Sequence, residues 1–362
     1  MSEESKKLEE QAAKLEKKSK VRIKQPWTIK RVGDLLLNNA LIIIMIIAAI
    51  YIAIKNPYFI KPAAIINIIA QTCAYLPVAL GVAGCIVLTG TDLSAGRIVG
   101  LTACISASLL QSITASSKMW PNLTPPNVLL VLLFAMVIGA LIGAFNGFFV
   151  AKFKLHPFIV TLGSQLIIYT ILLRYVNAGN NSGMAISGLD PSYSKFVTGS
   201  FVKVAGTPIP NYVWIAVILT ALMWFIWNKT TFGKNMFALG SNEEATRVSG
   251  VNVFMTTILV FALAGAMYAV TGFVEGARVA SNTANTGFNY ELDGIAACVI
   301  GGVSFVGGIG KIRGVVIGVL MLRLIFVGLN MIGINQDFFY LIKGGIILFA
   351  CALDMRKYLV RK

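Results

Sequence analysis

Residues 128–149 read VLLVLLFAMVIGALIGAFNGFF and carry no charged side chain. A helix of about 20 apolar residues covers the roughly 30 Å of hydrocarbon in a bilayer. A strand of a membrane barrel would instead alternate polar and apolar residues. This segment therefore predicts a transmembrane α-helix, and similar apolar runs recur along the whole chain.

The composition agrees with a membrane protein. Of 362 residues, 57% are hydrophobic and 13% are charged, and the mean hydropathy is +0.78. These values exclude an ordinary soluble enzyme, a DNA-binding module and a disordered scaffold. The net charge of +16 comes from basic residues between the apolar runs, so it predicts contact with anionic membrane lipid and no nucleic acid.

The predicted fold class is an all-α, polytopic transmembrane bundle of about ten spans, some of them short or broken. Most basic residues fall in loops on one side when both termini are placed in the cytoplasm, as the positive-inside rule requires. The expected spans lie near residues 35–54, 63–88, 98–113, 128–149, 158–175, 212–227, 255–274, 295–306, 314–334 and 338–352.

The chain divides into three predicted parts. Residues 1–34 form a charged cytoplasmic arm, 35–353 a transmembrane domain with a cytoplasmic loop at 228–254, and 354–362 a basic cytoplasmic tail. The arm mixes Glu and Lys with few apolar side chains, which is typical of a solvated helix or a disordered segment.

Neither a metal site nor a nucleotide site is expected. The five cysteines lack the paired short spacing of metal ligands. A phosphate-binding loop needs a glycine five residues before its Gly-Lys pair. Neither Gly233-Lys234 nor Gly310-Lys311 has one, so the sequence predicts no bound cofactor, and ATP could act only on another polypeptide.

All 15 acidic residues fall in loops or at the ends of predicted spans. A carrier driven by an ion gradient usually places a titratable group near the membrane centre. The pattern therefore disfavours an ion-coupled secondary transporter, which stays an alternative together with a non-transporting membrane scaffold. Arg323 is unusual because it falls inside a predicted span: either it faces a subunit seam or a water-filled cavity, or the span has other boundaries.

The loop at 228–254 contains a predicted short helix. Ser241 and Glu244 have the spacing of a capping box, and Gly250 supplies a left-handed stop. The helix would run from 242 to 249, which is too short to be stable alone in water. It must pack either on its own bundle or on a docked cytoplasmic subunit.

Glycines are spaced for close helix packing. Gly139, Gly143 and Gly147 recur at intervals of four, as do Gly314 and Gly318. Such faces predict contacts between helices of one subunit, and a dimer seam is the alternative.

A family resemblance extends from about residue 35 to the end. Glu244, Ala245 and Gly250 resemble the EAA-xxx-G coupling loop of bacterial ABC importers, with Thr246 where a second alanine is usual. Four longer segments resemble the permease subunits of the ribose- and galactose-type sugar importers. These are GVAGCIVLTGTDLSAGR (81–97), HPFIVTLG (156–163), TTFGKNMFALGSNEEATRVSGVNV (230–253) and YELDGIAACVIGGVSFVGGIG (290–310).

The resemblance implies a multi-pass permease of the bacterial cytoplasmic membrane that is not itself an enzyme. It would import a monosaccharide, expected to be galactose or methyl-galactosides, with ribose or another sugar as the alternative. Its implied partners are a second copy of itself, a double-cassette ATPase that binds ATP and magnesium, and an extracytoplasmic sugar-binding protein. Alternating access would occur at the homodimer interface.

The candidate site residues fall into four groups. The ATPase-coupling group is Ser241, Glu243, Glu244, Ala245, Thr246, Arg247 and Gly250. The inner-turn group is Asp92, Ser94, Gly96 and Arg97, in which Asp92 caps the next helix and Arg97 contacts lipid phosphate or Asp92. Uncharged polar residues of the spans are candidates for the sugar path: Gln71, Thr72, Asn146, Thr161 and Gln165. The outer loop supplies a candidate receptor dock of Asn285, Asn289, Tyr290, Glu291 and Asp293.

Overall fold

The computed structural model describes residues 40–359, with side chains for 42–349, 351 and 352. The predicted arm at 1–34 and the first residues of the first predicted span lie outside the described residues. The last helix continues to Leu359, so the tail predicted from residue 354 begins within it.

The described chain is mainly helical, with one small antiparallel hairpin in which Val202 pairs with Ile209. A 3₁₀ turn, Pro57–Ile60, joins the first two helices. The helices and strands are α1 (Ala40–Lys55), α2 (Pro62–Val87), α3 (Ala95–Leu109), α4 (Val128–Phe153), α5 (Pro157–Val176), α6 (Pro191–Thr198), β1 (Val202–Val204), β2 (Thr207–Ile209), α7 (Tyr212–Lys229), α8 (Thr231–Ser241), α9 (Glu243–Val248), α10 (Val253–Val279), α11 (Tyr290–Ile300), α12 (Ile312–Met331) and α13 (Asp337–Leu359).

Among the described residues, six helices are long and apolar enough to cross a membrane: α2, α4, α5, α7, α10 and α12. By contrast, α3 has 15 residues and α11 has 11. At 1.5 Å per residue these lengths are about 22 Å and 16 Å, less than the thickness of the hydrocarbon layer. A polytopic helical protein is thus confirmed, while ten crossings and the cytoplasmic position of both termini stay predictions.

Local sequence explains several helix starts. Pro157 opens α5, and the backbone N–H of Phe158 donates to Nδ1 of His156 at 3.3 Å. The side chain of Asn127 accepts from Leu129 N in the same way at the start of α4. His156 therefore has the structural role of a helix cap.

The glycine faces make contacts within the subunit. A Cβ atom at Gly139 or Gly143 would overlap a backbone carbonyl oxygen of α10, and one at Gly318 would overlap the Ala297 oxygen of α11. The helices approach closely because these positions have no side chain. The prediction of intrasubunit packing is confirmed for these glycines.

Candidate functional site

The segment predicted to couple to an ATPase follows α7 and forms two helices, α8 and α9. Its first helix ends at Ser241, and Asn242 is extended (φ −162°, ψ 106°) and caps α9. The Asn242 Oδ1 atom accepts from Ala245 N at 2.9 Å, whereas the Ser241 hydroxyl donates to Phe237 O in the preceding turn. The predicted capping box is therefore wrong by one residue, because the chain turns at Asn242 and not at Ser241.

The surface of α9 is open. Thr246 is buried, whereas Val248 is 87% exposed. Arg247 pairs with Glu243 at 2.5 Å and with Glu244 at 3.3 Å on the outer face of the helix. Such exposed ion pairs add little stability to the protein. The helix thus presents an exposed apolar side chain, Val248, next to a charged face.

Gly250 ends this segment in a left-handed conformation with φ +82°, as predicted. A Cβ atom there would meet no heavy atom within 4 Å. The glycine is thus required by backbone conformation and not by crowding.

The end of α8 contacts two turns of the bundle. Val87 O, at the end of α2, accepts from Gly308 N at 2.9 Å. A Cβ atom at Gly240 would overlap this carbonyl oxygen, and one at Gly308 would overlap Ser241. The turn after α2 and the loop between α11 and α12 therefore pack together against α8.

Asp92 and Ser94, in the turn after α2, are buried and hydrogen-bonded. Asp92 Oδ1 accepts from the backbone N–H of Ser94 at 2.9 Å and from its hydroxyl at 2.6 Å. Asn146 donates to the same hydroxyl at 3.0 Å, and the Thr161 hydroxyl accepts from Leu93 N at 3.1 Å. Asp92 does not cap α3, because that helix begins at Ala95 after the N-cap residue Ser94 and has no side-chain capping hydrogen bond. The Asp92 carboxylate bonds instead to Ser94 in the turn before the helix, so the predicted cap is wrong.

Arg97 does not reach lipid phosphate or Asp92, and that prediction is wrong. It is 8% exposed, donates to Ala284 O at 3.2 Å, and lies 4.1 Å from the ring centroid of Tyr169 and 5.1 Å from that of Phe288. Because Tyr169 is 12 residues into α5, about 18 Å along that helix, the start of α3 lies inside the bundle.

The predicted inner turn, which contains Asp92 to Arg97, and the predicted outer loop, which contains Asn285 to Asp293, contact each other inside the bundle. A Cβ atom at Gly96 would overlap both the Gly287 oxygen and the Glu291 carboxylate. The segment 282–287 runs along α3, since Cys104 donates to Thr283 O and Arg97 to Ala284 O. The two regions assigned to opposite membrane surfaces are therefore in contact, because both α3 and α11 begin inside the bundle.

A charged cluster lies beside this contact. Arg323 donates to Asp293, and Lys343 Nζ is 2.6 Å from the other Asp293 oxygen. The Arg323 guanidinium lies 3.4 Å from the ring centroid of Tyr75, which in turn packs 4.5 Å from the ring of Tyr290. Arg323 therefore contacts a carboxylate and an aromatic ring of its own subunit. The spacing of residues in the sequence did not predict either contact.

Glu275 extends the cluster. It accepts from the Tyr290 hydroxyl and pairs with Arg278 through both oxygens at 2.5 Å and 2.6 Å. Glu275, Glu291 and Asp293 are all buried between helices, although each falls near the end of a predicted span. The distribution of acids along the sequence therefore does not exclude buried carboxylates.

The candidate path residues separate into two sets. Thr72, Asn146 and Thr161 are buried, and their side chains bond to the protein: Thr72 to Ile68 O and the other two at the turn after α2. Gln71 and Gln165 are partly exposed. The buried three are explained by helix contacts, and a sugar-path role stays a prediction for the two glutamines.

The candidate receptor dock is divided as well. Asn285 is exposed, and Asn289 and Tyr290 are partly exposed. Glu291 and Asp293 are buried and do not offer a surface to a docking protein, which corrects their assignment. Docking through the remaining residues stays a prediction.

Comparisons with known proteins agree with this arrangement. A family model described as branched-chain amino acid transport system / permease component matches residues 64–351. The fold and this match define the class, and the chain belongs to this family of membrane permeases, which are transport components rather than enzymes. No solved structure matches the chain.

The curated relatives indicate which permeases within this family the chain resembles. The chain is 46% identical over 321 residues to the galactose/methyl galactoside import permease MglC of Salmonella typhimurium, covering 89% of this chain and 94% of the relative. It is 43% identical to MglC of Haemophilus influenzae, covering 91% and 97%. It is 33% identical to the ribose import permease RbsC of Escherichia coli, covering 88% and 94%.

Proposed function

We propose that this chain is the membrane subunit of an ATP-driven importer of galactose or methyl-galactosides. The observation that carries the proposal is the 46% identity to a galactose/methyl galactoside import permease over nearly the whole chain. The 33% identity to a ribose import permease favours ribose as the second candidate substrate. The sugar is taken to pass between two copies of the chain by alternating access.

The proposed driving force is ATP hydrolysis by a separate double-cassette ATPase, with ATP and magnesium bound there and no cofactor on this chain. The exposed α9 helix supports docking by such a partner. A cavity of about 440 Å³ beside it is lined by Asn242 and Glu243 on one side and by Lys154 and His156 on the other. This recess and the exposed Val248 fit a protein surface with both apolar and polar groups.

The contacts of α8 suggest how the force enters the bundle. Gly240 packs on the end of α2, and Gly308 lies between Val87 and Ser241. A displacement of α8 and α9 would therefore move the turn leading to α3 and the loop following α11. Because α3 and α11 are the two short helices that begin inside the bundle, their movement opens or closes a central route.

The proposed partner on the other side is a sugar-binding protein. The exposed Asn285 and the partly exposed Asn289 support this docking, because their amide groups can form hydrogen bonds to a protein surface. Substrate choice would then rest partly with that receptor, since it delivers the sugar to the permease.

Reconstitution tests the proposal. Proteoliposomes that contain the chain alone should accumulate no labelled galactose, whereas addition of the ATPase, the sugar-binding protein and ATP should produce uptake. Labelled ribose in parallel vesicles distinguishes the two sugars. Accumulation by the chain alone against a gradient would overturn ATP-driven import, and native mass measurement of the active complex would overturn the homodimer if it contained a single copy.

A further inference from the structure

A groove runs along the side of the bundle between α2, α7 and α12. It has a volume of about 590 Å³, and several of its lining side chains are open to the surroundings of the bundle, among them Val217, Trp224 and Ile317. The deeper wall is formed by Leu76 and Leu320. Because α2, α7 and α12 are candidate membrane spans, the open side of the groove faces lipid.

Its polar side chains offer little to a polar ligand. The Thr72 hydroxyl donates to Ile68 O at 2.8 Å, and the Thr220 hydroxyl donates to Ala216 O at 2.7 Å. Both hydroxyls are thus satisfied within their own helices. A wall that is mainly apolar and whose two hydroxyls are already bonded fits a hydrocarbon chain better than a sugar or a peptide backbone.

One end of the groove is basic. Arg313 lines it at the start of α12 and is exposed. Trp224 lines it one and a half turns before the end of α7, and Lys229 Nζ lies 5.8 Å from its ring centroid. Tryptophan with Arg and Lys at a helix end is the arrangement found at lipid headgroups, and both cations suit a phosphate.

The positive charge at the end of the groove favours an anionic lipid over a second copy of the chain as its occupant. None of the described residues that line the groove is acidic, so the lining offers no carboxylate to neutralise Arg313 or the neighbouring Lys229. A second copy docked about a twofold axis would bring the same cations to the same interface, which is unfavourable. An anionic lipid supplies both the hydrocarbon chain and the compensating charge.

We propose that this groove binds one anionic phospholipid of the leaflet on the α8–α9 side, which the proposed function makes the cytoplasmic leaflet. One acyl chain lies along Leu76, Val217 and Leu320, and the phosphate lies between Arg313 and Lys229. The bound lipid thereby contacts α2, α7 and α12 next to α8 and α9, the helices that the proposed function assigns to the ATPase contact.

Brominated lipids test the site because bromine on an acyl chain quenches nearby tryptophan. The purified full-length chain is titrated in detergent with brominated phosphatidylglycerol or brominated phosphatidylcholine. The quenching of Trp224 is obtained as the difference in fluorescence quenching between the native chain and Trp224→Phe. The matched control is Trp214→Phe, at the opposite end of α7. The anionic lipid should quench Trp224 at about 30-fold lower concentration than the neutral lipid, as two basic groups near a headgroup predict.

Two variants separate the parts of the site. Arg313→Gln with Lys229→Gln should remove the preference for the anionic lipid, while the control Lys234→Gln, at an exposed position of α8, should keep it. Ala221→Phe fills the groove and leaves both cations, and it should weaken quenching by either lipid. Equal quenching by the two lipids, quenching by neither, or an unchanged preference in the double variant would overturn the proposal. None of these measurements depends on sugar transport.

Discussion

The guanidinium of Arg323 donates a hydrogen bond to the carboxylate of Asp293 in the interior of the bundle. Lys343 pairs with the second oxygen of the same carboxylate at 2.6 Å. One acidic residue thus joins the short helix α11 to both α12 and α13. Since α11 has only 11 residues, these ion pairs hold a helix that is too short to span the bilayer by itself.

Replacement of Asp293 by Asn should destabilise the protein strongly. It leaves the buried Arg323 and the partly buried Lys343 without their carboxylate, and breaking a buried pair costs about 3–5 kcal/mol. Thermal or denaturant unfolding of the purified protein in detergent measures this loss. The control is Glu243→Gln on the exposed face of α9, which should change stability by less than about 1 kcal/mol. Equal stability of the two variants would contradict a structural role for the pair.

Gly143→Val should separate α4 from α10. A Cβ atom at Gly143 would overlap the Phe261 carbonyl oxygen, and overpacking of this kind costs about 1–3 kcal/mol or more. The melting temperature of the purified protein reports the effect. Gly163→Ala is the matched control, because a Cβ atom there meets nothing within 4 Å. If Gly143→Val melted like the control, the close packing of these helices would be refuted.

Asn242→Ala should loosen α9, whereas Ser241→Ala should not. Loss of an N-cap side chain costs about 1 kcal/mol, equivalent to about fivefold faster hydrogen exchange of the amides in residues 245–249. Mass spectrometry of the exchanged protein measures these amides. Faster exchange in Ser241→Ala with none in Asn242→Ala would restore the capping box expected from sequence.

Gly250→Val should reduce coupling between ATP hydrolysis and sugar uptake in the reconstituted complex while leaving membrane insertion intact. Valine is strained at φ +82°, so the chain that follows α9 must change direction. The measurement is the ratio of sugar imported to ATP hydrolysed. Gly206→Val carries the same kind of strain at φ +78° in the hairpin, away from α9. Normal coupling in Gly250→Val would count against α9 as the site of mechanical input.

Much of the fold is predictable because hydrophobic length is a local property. The six apolar helices of spanning length appear within a few residues of where the sequence places them. The left-handed Gly250 and the glycine face at Gly139 and Gly143 were predictable for the same reason, since each depends on residues close in the chain. Membership of the permease family also follows from contiguous segments such as 230–253.

The sequence alone determined a polytopic helical membrane protein with a short helix that the structure places at Glu243–Val248, because length, apolar content and spacing are sufficient for these features. Only the tertiary structure decided that Arg97 lies against Tyr169 and Phe288, and that Asp293 meets Arg323. These residues are separated by dozens of positions in the chain. Their contacts arise because α3 and α11 begin inside the bundle, and hydrophobic spacing does not show how deep a helix begins.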